Sequence, residues 1–283
     1  MDVTDDEHAA GRLGRVLIVA GSDSGGGAGI QADIKTVTAL GAYAATAVTA
    51  ITVQNTLGVS DVFPLEPALI AAQMRAVLDD IGADAVKTGM LHSSAVIETV
   101  ARELEAQDGF QLVVDPVMVA KGGASLLEDD AVLALRNLLL PMATLLTPNM
   151  PEAAALTGRP VKTLDDQKRA GDALLGLGPQ AVLVKGGHGT GPDVQDVLVT
   201  QETIEVMTSP RIDTVHTHGT GCTLASGVAA LLSQGVELRD AVAAARDYVH
   251  EAILTAPGFG KGHGPLNHAH PFLMDRPDPR KLN

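Results

Sequence analysis

The chain has 283 residues, 46% of them hydrophobic but only 2% aromatic, no tryptophan, and a formal net charge of −14. That length and apolar content suit one large α/β unit, with a Val, Leu, Ile and Ala core of the kind found in a parallel sheet covered on both faces. Carboxylates outnumber basic side chains 34 to 20, which argues against nucleic acid and anionic membrane surfaces as partners, because both require clustered Lys and Arg.

No apolar run reaches the roughly 18 residues that span a bilayer. One cysteine leaves no internal disulfide framework and fits a reducing compartment. The start is acidic where a signal peptide is basic, so the expected location is the cytoplasm.

Residues 1–14 read as a flexible acidic leader. The run 15–20 (RVLIVA) is a strand, ending in the glycine loop 21–29. Helical spacing follows over 30–40, where Ile30, Ile34, Val37 and Leu40 share a face. Strands are expected at 44–53 and 59–63, a helix at 67–81, a strand at 85–88 and a helix at 93–106. Next come a strand at 111–115, a helix at 128–140 and a strand at 144–147. Helices at 151–157 and 165–177 flank no further strand until 181–185. A hairpin at 194–200 and 203–208 precedes the last two helices, 220–233 and 238–254. Strands alternating with helices predict a mostly parallel sheet covered on both faces. A single domain is expected over 15–270, with an irregular tail at 271–283.

Polar and glycine residues gather at the C-terminal ends of these strands: Gly21 and Asp23, Gln54 and Asn55, Lys87 and Gly89, Asp115, Asn149, then Lys185 and Gly186. Ligands of open α/β sheets bind outside that edge, so six segments are expected to converge on one cleft. The most informative stretch is 218–231 (HGTGCTLASGVAAL). Gly219, Thr220, Gly221 and Cys222 open a helix whose first turn offers unpaired N–H groups and a positive dipole end, an anion site by construction. A thiol there has its thiolate favoured, so Cys222 is a candidate base.

Other segments carry weaker signals. The loop 21–29 lacks the lysine of a Walker motif and the spacing of a dinucleotide fingerprint. It reads instead as backbone that approaches a ligand closely, with Asp33 on the following helix nearby. The amide of Gln54 has both a donor and an acceptor for an aminopyrimidine edge. Asp115 and Glu152 are candidates to hold Mg²⁺, although Asn149 and Glu152 also fit a helix cap. Lys185 can reach a phosphate. No histidine is spaced with a cysteine or carboxylate as a metal site requires.

Seven blocks, in order, carry a resemblance: AGSDSGGGAGIQADIKT, TAVTAITVQNTLGV, AVKTGML, VVDPVMVAKGG, LLTPNMPEA, VLVKGGH and HGTGCTLASG. Together they resemble the ribokinase-like vitamin kinases, and within them the hydroxymethylpyrimidine/phosphomethylpyrimidine kinases of thiamine biosynthesis. The resemblance implies a three-layer α/β/α fold with a central, mostly parallel sheet. It also implies ATP and Mg²⁺, and two successive transfers onto a small pyrimidine. By the same resemblance Gly21, Asp33, Gln54 and Met90 line the pyrimidine pocket and Gly219, Thr220, Gly221 and Cys222 form the anion hole. Asp115, Asn149 and Lys185 face ATP, and Glu152 faces the metal. A homodimer is implied, and Lys121, Gly122 and Gly123 are implied to close over the cleft. The same-fold alternative is pyridoxal/pyridoxine kinase, against which Gln54 speaks.

Overall fold

The central strands carry apolar side chains on both faces through most of their length because both faces are covered. In the computed structural model, which describes residues 13–119, 123, 126–128 and 130–273, nine strands form one sheet in the order β3-β2-β1-β4-β5-β6-β7-β8-β9. The strands are β1 (Arg15–Asp23), β2 (Tyr43–Asn55), β3 (Gly58–Pro64), β4 (Ala85–Thr88), β5 (Gln111–Val114), β6 (Leu145–Leu146), β7 (Ala181–Val184), β8 (Asp193–Thr200) and β9 (Ile204–Pro210). The six strands from β2 to β7 pair in parallel, whereas β3, β8 and β9 are antiparallel additions at the two edges.

Alternate residues of β1 feed two cores. Leu17 and Val19 pack under α2 (Pro67–Leu78), α3 (Ser94–Glu105), α5 (Met150–Thr157) and α6 (Leu164–Leu175), with a short α4 (Ala131–Ala134) completing that layer. Val16, Ile18 and Ala20 pack under α1 (Gly29–Ala39), α7 (Thr220–Ser233) and α8 (Leu238–Leu254). The period of two along the strand thus places one helical layer on each face.

Three expectations need adjustment. The helix expected over 128–140 is α4 followed by a π turn (Leu135–Leu139) and a 3-10 turn (Leu140–Met142), and Pro141 lacks the N–H that would continue the ladder. The strand expected over 144–147 pairs only through Leu145–Leu146. The tail begins as a single turn, α9 (His270–Leu273), rather than irregular chain. Most of the expected leader (1–12), residues 274–283 of the expected tail, and Lys121 and Gly122 of the expected lid lie outside the described residues. Among the described residues no helix is long and apolar enough to cross a membrane.

The chain leaves β1 for β2 on one side and returns to β4 on the other. This reversal opens a crevice at the C-terminal ends of β1 and β4, where such sheets bind ligands.

Candidate active site

All six strand-end segments meet there. A cavity of about 520 Å³ is lined by Gly21 and Asp23, Gln54, Lys87, Gly89 and Met90, Asp115, Asn149 and Glu152, Lys185, and Gly219, Thr220, Gly221 and Cys222. A second hollow of about 280 Å³ shares Asn149, Lys185, Thr220 and Gly221 with it and extends along Gly187, Val249 and Ile253.

At the β1 end, Asp23 organises the glycine loop. Its carboxylate accepts from the N–H groups of Gly25 (2.7 Å), Gly27 (3.0 Å) and Ala28 (2.8 Å). Those three donors are therefore spent within the loop, whose backbone at Ala28 and Gly29 borders the cavity. Burial works against the charge of Asp23, but His218 and the loop amides outweigh it and hold the carboxyl below its ordinary range. His218 Nε2 lies 3.0 Å from Asp23 Oδ2 and 3.1 Å from Gln54 Nε2. Gln54, at the end of β2, is thereby tied through an imidazole to the first loop. Asp23 and His218 stand 195 residues apart, and sequence reasoning did not pair them.

Gly21 leaves room for the Met90 side chain, since a Cβ there would lie 2.6 Å from its Cε and the thioether end would have to turn aside. Met90, Ala50 and Leu126 form a small apolar cluster beside it. This half of the cavity can hold a flat ring against Met90 while Gln54 addresses its polar edge.

Asp33 does not line this pocket, contrary to the resemblance. It is wholly buried on α1, and both of its carboxylate oxygens accept from Lys87 Nζ, at 3.0 and 2.9 Å. Lys87 is the residue that the cleft receives instead; its place at a strand end was visible in the sequence, its pairing was not.

On the opposite side, Lys185 Nζ lies 2.9 Å from Asp115 Oδ1 and 4.0 Å from Glu152 Oε2. Thr147 also donates to Asp115 Oδ1, whereas Asp115 Oδ2 is buried with no partner among the described residues. Asn149 and Glu152 form a reciprocal cap on α5: Asn149 N–H donates to Glu152 at 2.7 Å and Glu152 N–H to Asn149 at 2.9 Å. The capping reading is thus realised, and one Glu152 oxygen is already engaged. Burial, partly offset by Lys185, pushes the Glu152 carboxyl up to about 7.

The N-terminus of α7 closes the site. Gly219 sits at its cap with φ +85°, and a Cβ there would lie 1.8 Å from the Gly27 carbonyl oxygen. Only glycine lets the glycine loop pack directly on this helix end. No side chain caps α7; the Thr220 N–H turns back to the Thr217 carbonyl at 3.5 Å, and with Gly219, Gly221 and Cys222 at the cavity wall the helix end offers an anion its remaining first-turn donors.

Cys222 departs from expectation. It is half-buried at this helix end, yet its thiol is pushed up to about 12 by burial and by Asp33 and Asp115, against the pull of Lys87 and the Gly29 amide. The dipole end alone does not make it a thiolate.

Comparison with known proteins gives a consistent picture. The sequence pattern of the phosphomethylpyrimidine kinase family matches residues 23–267. The hydroxymethylpyrimidine/phosphomethylpyrimidine kinase of Bacillus subtilis is 47% identical over 255 residues, covering 90% of this chain and 94% of that protein. The thiamine biosynthesis bifunctional protein ThiED of Geobacter sulfurreducens is 50% identical over 255 residues, 90% of this chain, and the chain spans about half (52%) of that longer relative. Among solved structures, an ADP complex of Bacillus subtilis pyridoxal kinase matches with a TM-score of 0.87 at 40% identity, over 93% of this chain and 100% of that one. A phosphomethylpyrimidine kinase of Clostridium difficile matches with a TM-score of 0.76 at 42% identity, over 86% and 100%.

Proposed function

The chain belongs to the phosphomethylpyrimidine kinase family, and from that premise we propose how its cleft performs the family's chemistry. It is a kinase of thiamine biosynthesis that phosphorylates 4-amino-5-hydroxymethyl-2-methylpyrimidine and then the resulting monophosphate. The observation that carries the residue assignments is the single cavity in which Gln54 and Met90 face the amide donors of α7 and the pair Lys185–Asp115.

Gly21 and Met90 receive the ring, and Gln54, held by His218, pairs with its amino edge. The ring's hydroxymethyl group then points towards α7. Lys185 and Asn149, shared with the second hollow, take the phosphates of ATP, and the hollow takes its nucleoside.

Phosphoryl transfer needs positioning and charge stabilisation more than covalent help. The N–H groups of Gly219, Gly221 and Cys222 hold charge growing on the transferred group; one such donor is worth roughly 3–4 kcal/mol in comparable sites. Cys222 takes the hydroxymethyl proton as the new P–O bond forms. Its thiol is protonated at neutral pH, so only its thiolate fraction serves, and each positive charge facing it raises that fraction.

Asp115 and Glu152 suit a Mg²⁺ ion: both are hard oxygen donors, and the unpartnered Asp115 Oδ2 is the oxygen left to receive one. Bound there, the ion would neutralise phosphate charge.

A second reading, phosphorylation of pyridoxal, is favoured by the fold match to pyridoxal kinase. Measuring kcat/KM by ADP release with the pyrimidine and with pyridoxal separates the two. Preference for the pyrimidine is expected; turnover of pyridoxal alone overturns the assignment.

We also read the chain as a homodimer. Ile51, Val53 and Phe63 are exposed on the β2–β3 edge, with Ile51 directly opposite Phe63. Sedimentation should give twice the chain mass, and a monomer at assay concentration refutes this.

A further inference from the structure

The scheme above leaves one charged group in the cleft without a task. Lys87 is wholly buried on β4, its Nζ held by both oxygens of Asp33. Ser226 Oγ donates to Asp33 Oδ1 at 2.6 Å. Ser226 follows Cys222 by four residues on α7, and residues so spaced share one helix face. The network therefore ends one turn beneath the thiol.

The ammonium also borders the cavity, since a Cβ on Gly89 would lie 3.0 Å from Nζ. A purely structural role makes a poor account of this pair. Buried ion pairs are commonly no more stable than apolar side chains of similar volume, and β4 is otherwise a strand where such residues fit.

The charged and titratable groups facing Nζ are Asp33 of α1, Asp115 beyond β5 and Cys222 of α7. Burial works against the ammonium, but the carboxylates, Asp33 above all, outweigh it and keep Lys87 charged. Burial likewise pushes the Asp33 carboxyl up, against Lys87 and Ser226. Two oxygens accepting from the ammonium and a hydroxyl is ion-pair geometry, and we treat the pair as ionic. Of its two members, the ammonium acts more strongly on Cys222.

We infer that Lys87 is a positioning residue for the transfer: its ammonium, fixed by Asp33 and Ser226, is a permanent cation that, alongside Lys185, favours the anionic form of Cys222 against the carboxylates of Asp33 and Asp115. This rests on the reading of Cys222 as the proton acceptor.

Cys222 is the only cysteine in the chain, so iodoacetamide alkylation between pH 7 and 9 reports its thiolate alone. In the neutral pair Lys87→Met/Asp33→Asn, alkylation should slow across this range. A rise of one pKa unit removes thiolate tenfold while the more basic sulfur regains part of the rate, leaving it about threefold slower. The turnover number should fall with it, at unchanged KM for ATP. Asp33→Asn alone leaves the ammonium without its carboxylate and should move alkylation the other way. It remains informative if the double variant fails to fold, and ADP binding checks the fold of each.

Unmoved alkylation in a folded variant overturns the inference about Lys87 and leaves the reading of Cys222 intact. Slower alkylation with unchanged turnover overturns Cys222 as proton acceptor, and the role of Lys87 in the transfer with it.

Discussion

Replacing Gly219 with alanine tests whether the packing of the glycine loop on α7 fixes the anion hole. Two costs are separable. The backbone at φ +85° disfavours any Cβ by about 1–2 kcal/mol. The new Cβ would also lie 1.8 Å from the Gly27 oxygen and 2.8 Å from its carbonyl carbon. Backbone cannot rotate aside as a side-chain end does, so the helix end and the loop must part, at about 1–3 kcal/mol for overpacking.

Gly235 supplies the control. Its φ is +82°, and a Cβ there meets nothing within 4 Å, so Gly235→Ala carries the backbone cost alone. Urea unfolding should therefore find Gly219→Ala destabilised by about 2–5 kcal/mol and Gly235→Ala by only about 1–2 kcal/mol. In kinase assays Gly219→Ala should lose turnover by about a hundredfold, the loss of one misdirected oxyanion donor, while Gly235→Ala remains unaffected. Equal stability losses in the two variants, with turnover retained in Gly219→Ala, would refute the argument.

Cys222→Ala should lose most turnover while ATP binding, followed by calorimetry, largely survives; full activity would remove Cys222 from the mechanism. Gln54→Met should raise KM for the pyrimidine about tenfold or more, as loss of a buried polar match does, and leave pyridoxal less affected; an equal effect on both substrates contradicts its role. His268 is buried against Thr223 at 3.0 Å, and burial pushes its pKa down to about 4. Stability is then complete above the unfolded value near 6.5 and is lost as pH falls towards 4, by about 3 kcal/mol at most. His268→Gln should flatten this acid limb in urea titrations at pH 7.5 and 5, and an unchanged slope contradicts the burial argument.

The strands of the sheet and the gathering of polar residues at their C-terminal ends were legible in the sequence, because periodicity and apolar runs report local burial. So was the glycine-led start of α7 at the cleft, whose glycines and first turn are contiguous. The pairing of side chains was not. Asp23 and His218 meet across 195 residues, and Asp33 turns from the pocket to Lys87 on a neighbouring strand. Nothing in local spacing encodes these contacts.

The thiol of Cys222 went astray for a related reason. A helix N-terminus is a sequence feature that lowers a thiol pKa, whereas the burial and the two carboxylates that raise it exist only once α1, β5 and α7 are assembled. The loop at 21–29 was legible as backbone close to a ligand, and it borders the cavity, but that its amides are consumed by its own Asp23 was not.

The most direct test of the account is a product-resolved time course with ATP and 4-amino-5-hydroxymethyl-2-methylpyrimidine, following ADP, the monophosphate and the pyrophosphate together. The account predicts that the monophosphate rises and then declines into the pyrophosphate, one ADP per step. Accumulation of monophosphate alone, or no ADP from the pyrimidine, would contradict it.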